Sequence, residues 1–214
     1  MVFLFKTAQN NYAVVFESLK NKLIDMRNSE FEIHPFDQAF YSKALLTKTR
    51  SILNDFELLN KIFESEYYDC QNDDVILDLF QNIILNAGAI SRFFWPSNKK
   101  IYYKIRGKKL KEVYRVSDSS ILKNRDMRNY IEHFDEKLDD FLKEFDTWTV
   151  MQKYVGPLSY VNDNRTFFRA YFYDKQIFKI LNVEYEIKPI IDEIRRIHEI
   201  LLLQQENGGR FQLE

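Results

Sequence analysis

The chain has 214 residues and a single cysteine, Cys70, so it can form neither an internal disulfide nor a multi-cysteine metal site. Five glycines and four prolines are too few for a linker-rich chain, and 45% hydrophobic residues exclude a disordered one. The sequence has no Walker loop and no Gly-x-Gly-x-x-Gly, so the common nucleotide-binding loops are absent. No segment approaches the roughly 18 apolar residues of a membrane span. The apolar run in Met1-Val2-Phe3-Leu4-Phe5-Lys6 is too short for a signal-peptide core and has no basic region before it. These absences predict a soluble cytoplasmic protein with no membrane partner. The formal net charge is −1, so the molecule as a whole is not an electrostatic nucleic-acid binder, and any such role needs a local basic patch. Histidine is also scarce, at three residues: His34, His133 and His198.

What is present is mostly helical periodicity over residues 1–214, read as a single domain. A first helix is predicted from about Tyr12 to Met26, followed by an extended stretch from Phe31 to Pro35. A long second helix should run from Phe36 to Ser65, with a kink or break open to it. After a polar loop, Tyr67 to Asp74, Asp73 or Asp74 should cap a helix from Val75 to Trp95, stopped by Pro96. This helix is apolar over more than half its girth and belongs at the centre of a bundle. A further helix is predicted from Ser119 to about Asp146, capped by Ser117 or Asp118. Met151 to Asn164 reads as irregular. Arg165 to Tyr173 and Gln176 to Val183 flank Asp174-Lys175 as a β-hairpin. Glu184 to about Gln205 reads as a closing helix with Pro189 in its first turn and Leu202 on its apolar face, ended by Asn207-Gly208-Gly209.

The stretch from Arg125 to Asp139 carries both an apolar stripe and a polar one. Projected at 100° per residue, Met127, Tyr130, Ile131, Phe134, Leu138, Phe141, Leu142 and Phe145 share one sector. Arg125, Asn129 and His133 follow one another at i, i+4, i+8 on another face, with Glu132 and Glu136 beside them and Arg128 at its border. A histidine can give or take a proton near neutral pH. An arginine offers planar, charged hydrogen bonds to phosphate oxygens, and an asparagine can orient either partner. Together they suit phosphodiester cleavage without a metal. In-line cleavage benefits from both an acid and a base, and a symmetric dimer would supply two histidines. A solvated Arg128–Glu132 pair at i, i+4, on a plain helical protein, explains the same residues structurally.

Arg128-Asn129-Tyr130-Ile131-Glu132-His133 resembles the Arg-x4–6-His motif of HEPN (higher eukaryotes and prokaryotes nucleotide-binding) domains, including a polar residue directly after the arginine. Phe134-Asp135-Glu136-Lys137-Leu138-Asp139 and Ala87-Gly88-Ala89-Ile90-Ser91-Arg92-Phe93-Phe94-Trp95-Pro96 also resemble bacterial HEPN-like proteins. The resemblance covers residues 10–146 and implies a mainly α, HEPN-like helical bundle there; outside it, the residue pattern adds a small C-terminal β-hairpin and closing helix packed on the bundle over 147–206 and a tail over 207–214. The resemblance implies a dimeric, metal-independent endoribonuclease acting as a toxin or defence effector, with RNA as substrate, no cofactor, and in some members a nucleotidyltransferase antitoxin as partner. Arg128 would stabilise charge on the phosphate, His133 would act as acid or base, and Asn129 would orient His133 or the phosphate. The alternative within the family is a non-catalytic interaction or scaffold protein.

The segment from Lys99 to Arg115 has eight basic residues against one acid, Glu112, with tyrosines between them. Lys104, Arg106, Lys108 and Lys109, with Arg125, are the candidate RNA-binding cations. A solvated loop or a lysine-guarded strand edge explains the segment equally well. It could also offset the acidic run Glu132, Asp135, Glu136, Asp139 and Asp140, which repels RNA unless those carboxylates are paired or turned away. A His133–Glu136 metal site has the reverse of the usual Glu-x-x-His order and would face outward. His34 and His198 read as structural, and Cys70 has no histidine nearby in sequence.

Overall fold

The computed structural model describes residues 33–65, 72–130, 133–144, 150–161, 165–208 and 211. The predicted helix from Tyr12 to Met26, Cys70 and the part of the polar loop that precedes Asn72 lie outside the described residues.

Helix α1 (Pro35–Glu64) is 30 residues long and unbroken, about 45 Å of rise. His34, in an extended conformation, accepts the amide N–H of Phe36 at its Nδ1 and so caps the helix. Proline at the first helical position costs no hydrogen bond there. Helix α2 (Asp73–Phe94) is the hub of the fold. Its N-cap is Asn72, and Asp73 and Asp74 lie in the first turn rather than capping it. Ile76, Leu77, Phe80, Ile83, Ile84, Ala87, Ile90 and Phe94 are all buried. Their spacing covers most of the helix circumference, so α2 has to be wrapped by other elements.

Ile101–Val113 forms helix α3, where the sequence left a loop or strand edge open. Only Gly107, Leu110 and Val113 are buried on it, too few for a periodic signal. Arg115, at φ 52°, closes it in the left-handed region, with Val116 N–H donating to Lys111 O at 2.8 Å and Arg115 N–H to Glu112 O at 3.2 Å. Gly107 is what lets α3 approach α2. A Cβ there would sit 2.7 Å from Phe94 O and 2.8 Å from Pro96 Cδ. Gly107→Ala is therefore expected to destabilise the protein by about 1–3 kcal/mol in urea unfolding, against a helix-propensity gain of about 1 kcal/mol. A net stabilisation would mean that the two helices are not held this close.

The predicted helix from Ser119 to Asp146 is not continuous. It divides into a 3-10 turn (Ile121–Lys123), helix α4 (Arg125–Tyr130) and helix α5 (Phe134–Lys143). Short polar side chains compete with the helix ladder for local amides. Ser120 Oγ accepts the Leu122 N–H at 3.3 Å, and Asn124 Oδ1 accepts the Asp126 N–H at 2.7 Å. Each restarts the chain in a new direction. The predicted apolar face survives in part: Met127 and Phe141 are buried, Phe134 and Leu138 half-buried, but Leu142 is 56% exposed. Ile131 and Phe145, and the side chain of Tyr130, are outside the described residues.

Residues read as irregular form strand β1 (Val150–Gly156), which pairs in parallel with β2 (Thr166–Phe172). The predicted hairpin is β2 and β3 (Ile177–Ile180), antiparallel, with Phe172 opposite Ile177. Glu184 to Glu186, expected at the start of the last helix, instead belong with Val183 to strand β4 (Val183–Glu186), so the hairpin is part of a four-stranded sheet in the order β1-β2-β3-β4. One face of the sheet buries Tyr171, Phe178 and Tyr185 in the helical core; Phe167, Ala170 and Phe172 form a smaller cluster with Val161 of the β1–β2 connection.

Helix α6 (Ile187–Glu206) packs along α1 and buries Ile190, Ile191, Ile194, Ile197 and Leu201 in the same core as the other helices. Leu202 is exposed, while Gln204 is buried in its place. Asn207 caps the helix and Gly208, at φ 84°, ends it. The fold is thus mainly α with one small sheet, and no described helix is long and apolar enough to cross a membrane.

Candidate functional site

His133 stands at the junction of α4 and α5. Its backbone, at φ −134° and ψ 32°, is not helical, so the straight line Arg125–Asn129–His133 predicted from one helix does not hold through its last member. The junction is nonetheless tight. The His133 N–H donates to Asn129 O at 3.0 Å, and His133 O accepts the Lys137 N–H at 2.9 Å. His133 is thereby bonded to α4 through its N–H and to α5 through its carbonyl. Asn129 is exposed, and the His133 side chain is 49% exposed with its Nδ1 3.3 Å from Glu136 Oε2. That carboxylate can orient the imidazole. Arg125 and Arg128 sit on α4, but their side chains lie outside the described residues, as does Glu132, so the alternative Arg128–Glu132 pair does too.

Around this junction the acidic run is solvent-facing: Asp135, Glu136, Asp139 and Asp140 are all exposed. Asp140 pairs with Lys143 at 3.5 Å. Among the described residues Asp135 and Asp139 have no ion-pair partner.

The segment is positioned by residues far away in sequence. Met127 is buried and α4 packs against α2. Upstream, Ser120 Oγ donates to Glu193 Oε1 at 2.9 Å. Glu193 also accepts from Arg196 Nε at 2.9 Å and Nη2 at 3.0 Å, and Arg196 Nη1 donates to Tyr114 O at 2.9 Å. Burial works against the Glu193 carboxylate, and the bonds from Arg196 and Ser120 outweigh it, holding its pKa below the usual range. Helix α6 therefore clamps the chain just before α4. The sequence offers only a weak cue, since Glu193 and Arg196 at i, i+3 look like an ordinary surface pair.

The basic segment is divided in role. Lys104 and Lys108 are exposed four residues apart, Lys108 only 3.9 Å from Glu112, and Lys109 is half-buried. Arg106 does not join them. Its Nη2 donates to Arg92 O at 3.1 Å, and its guanidinium lies over the rings of Tyr103, Tyr41 and Phe93 at 5.3, 5.7 and 5.8 Å. It was read as an RNA contact, but its planar head instead satisfies a carbonyl near the end of α2 and stacks on aromatics. Tyr102 is 40% exposed, with its hydroxyl 2.9 Å from that of Tyr41; burial and that bond push its pKa up.

His198 faces Thr49, with Nδ1 and Oγ1 2.8 Å apart and Thr49 fully buried. Burial, then the nearby charge of Arg50, lowers the His198 pKa. The unfolded chain therefore binds more protons as pH falls through about 6.5, and stability present above that value is lost on acidification. Wild type is expected to lose more stability than His198→Gln between about pH 7.5 and about pH 5 in urea unfolding; identical losses would refute this. Among the described residues no three His, Cys, Asp or Glu converge in a way that could hold a metal ion.

No family model matches the chain, and no curated protein and no solved structure is significantly similar to it. The fold defines a mainly α protein with a small four-stranded sheet. The helix junction at His133 is its candidate site.

Proposed function

We propose that this protein is a metal-independent endoribonuclease of HEPN type, active as a homodimer in a toxin or defence role. The observation that carries this reading is the junction itself. Asn129 and His133 are both exposed, joined by one backbone hydrogen bond, with a carboxylate on the histidine. The motif Arg128-Asn129-x-x-x-His133 supplies the arginine that would meet the phosphate.

In the reaction, His133 of one copy takes the proton of the ribose 2′-hydroxyl. The 2′-oxygen then attacks phosphorus, and the P–O5′ bond breaks. His133 of the second copy protonates the leaving 5′-oxygen. The product is a 2′,3′-cyclic phosphate and a 5′-hydroxyl. Lys104 and Lys108 offer backbone contacts of the non-specific kind. The test is incubation of RNA with the protein in excess chelator, wild type against His133→Ala, with product ends identified. Equal cleavage by the variant rejects the proposal.

A second reading is favoured by the exposed acidic face of α5. Asp135 and Asp139 lack partners among the described residues and would repel RNA next to the histidine. That favours a non-catalytic scaffold whose partner is a basic protein surface. It predicts no cleavage by wild type and a stable, salt-sensitive complex lost in Asp135→Lys/Asp139→Lys.

A further inference from the structure

A cavity of about 320 Å³ lies between α1, α6 and the β2–β3 turn, built from elements other than the His133 junction. Its wall is aromatic. Phe56, Phe63, Phe80 and Tyr171 line it, with the Phe80 and Tyr171 rings stacked at 4.0 Å and Phe63 at 5.7 Å from Tyr171. Tyr171 is only 8% exposed, so its ring belongs to the wall of the cavity rather than to the outer surface.

The rim carries the opposite character. Lys188 and Arg195 of α6 border the opening, and among the described residues Lys188 has no ion-pair partner. Arg195 is paired only loosely, with its Nη1 3.8 Å from Asp192 Oδ1 and both side chains half exposed. Its guanidinium already lies over the Phe56 ring at 5.5 Å, so that ring face accepts a planar group. Two cations against one carboxylate leave the rim net positive. The volume is at the small end of ligand pockets, too small for a peptide helix and suited to one or two fused rings.

We propose that this cavity is a binding site for a small planar aromatic anion, its ring against the aromatic wall and its charge between Lys188 and Arg195. The site adds a ligand-binding role on helix α6, whatever the outcome at His133.

The test is titration of the full chain with 1-anilinonaphthalene-8-sulfonate, followed by fluorescence, with N-phenyl-1-naphthylamine as the same ring system without the anion. Saturable binding of one sulfonate probe per chain is expected. The double variant Lys188→Glu/Arg195→Glu changes only exposed charges, and it should weaken the sulfonate probe by about tenfold or more while leaving the neutral probe within about twofold. Asn60→Trp, at an exposed rim position of α1, should weaken both probes. A sharp, cooperative urea transition in each variant excludes probe uptake by a loosened core. Non-saturable binding overturns the proposal. So does sulfonate binding unchanged in both variants, or equal loss of the two probes in the charge variant.

Discussion

Replacing Phe80 with alanine is expected to lower stability by about 3–5 kcal/mol, seen as a drop in the urea midpoint at unchanged slope. Phe80 is 1% exposed on the central helix, and its ring meets Tyr171 of β2 at 4.0 Å and Phe178 of β3 at 5.7 Å. It therefore packs α2 onto the sheet, beside the ion pairs of Asp74 with Lys153 and of Asp78 with Arg169. Truncation would remove the burial of one aromatic ring and two ring–ring contacts. The site cannot collapse to compensate, because Phe80 also borders the existing cavity, which would grow. Phe80→Leu keeps most of the apolar volume and should cost less than half as much. A loss below about 1 kcal/mol for the alanine variant would mean that the sheet is not docked on α2 through this side chain.

His133→Ala is expected to reduce RNA cleavage by about 10²–10⁴-fold, the usual contribution of a positioned acid or base. Folding should be unaffected, with stability within about 0.5 kcal/mol of wild type. The side chain is half exposed, and its ion pair is with the still more exposed Glu136, an interaction of little value to stability. Arg128→Ala should cost about 10²–10³-fold if the arginine meets the charge that develops on phosphate. Glu136→Gln should have a smaller effect, because it changes only how the imidazole is held. Loss of cleavage together with loss of helicity would count against a chemical role for His133. Undiminished cleavage would remove the histidine from the mechanism altogether.

Met127 and α4 are held against α2 from one side, and the chain before α4 is held by Ser120, Glu193 and Arg196 from the other. A histidine on an exposed junction is held in place by the hydrogen bonds of its own backbone. Here the Asn129 and Lys137 hydrogen bonds do that locally, and the α6 clamp does it at a distance.

Much of this architecture is legible in the residues alone. Helices α1, α2 and α6 carry long apolar stripes at helical spacing, and burial follows most of each stripe, with Phe40, Val75 and Leu202 left exposed. The β2–β3 pair is announced by two aromatic runs around Asp174-Lys175. The exposure of Asn129 also follows from position along a helix. Strand β1 was hidden because Val150, Gln152 and Lys153 are exposed, and it is defined by backbone pairing with β2 rather than by an alternating pattern. Helix α3 was hidden because only three of its residues are buried.

By itself, then, the sequence determined which segments must bury an apolar face, and it placed a histidine, an asparagine and an arginine within one short stretch. Only the tertiary structure decided that this stretch breaks at His133 and that Arg106 turns inward. It also decided that Glu193 and Arg196 hold the segment, and that four aromatic rings from three elements enclose a cavity. The physical reason is the range of the forces involved. Periodicity records burial along one element, whereas hydrogen bonds to a distant carbonyl, close approach at Gly107 and a void between elements depend on neighbours that no local pattern names.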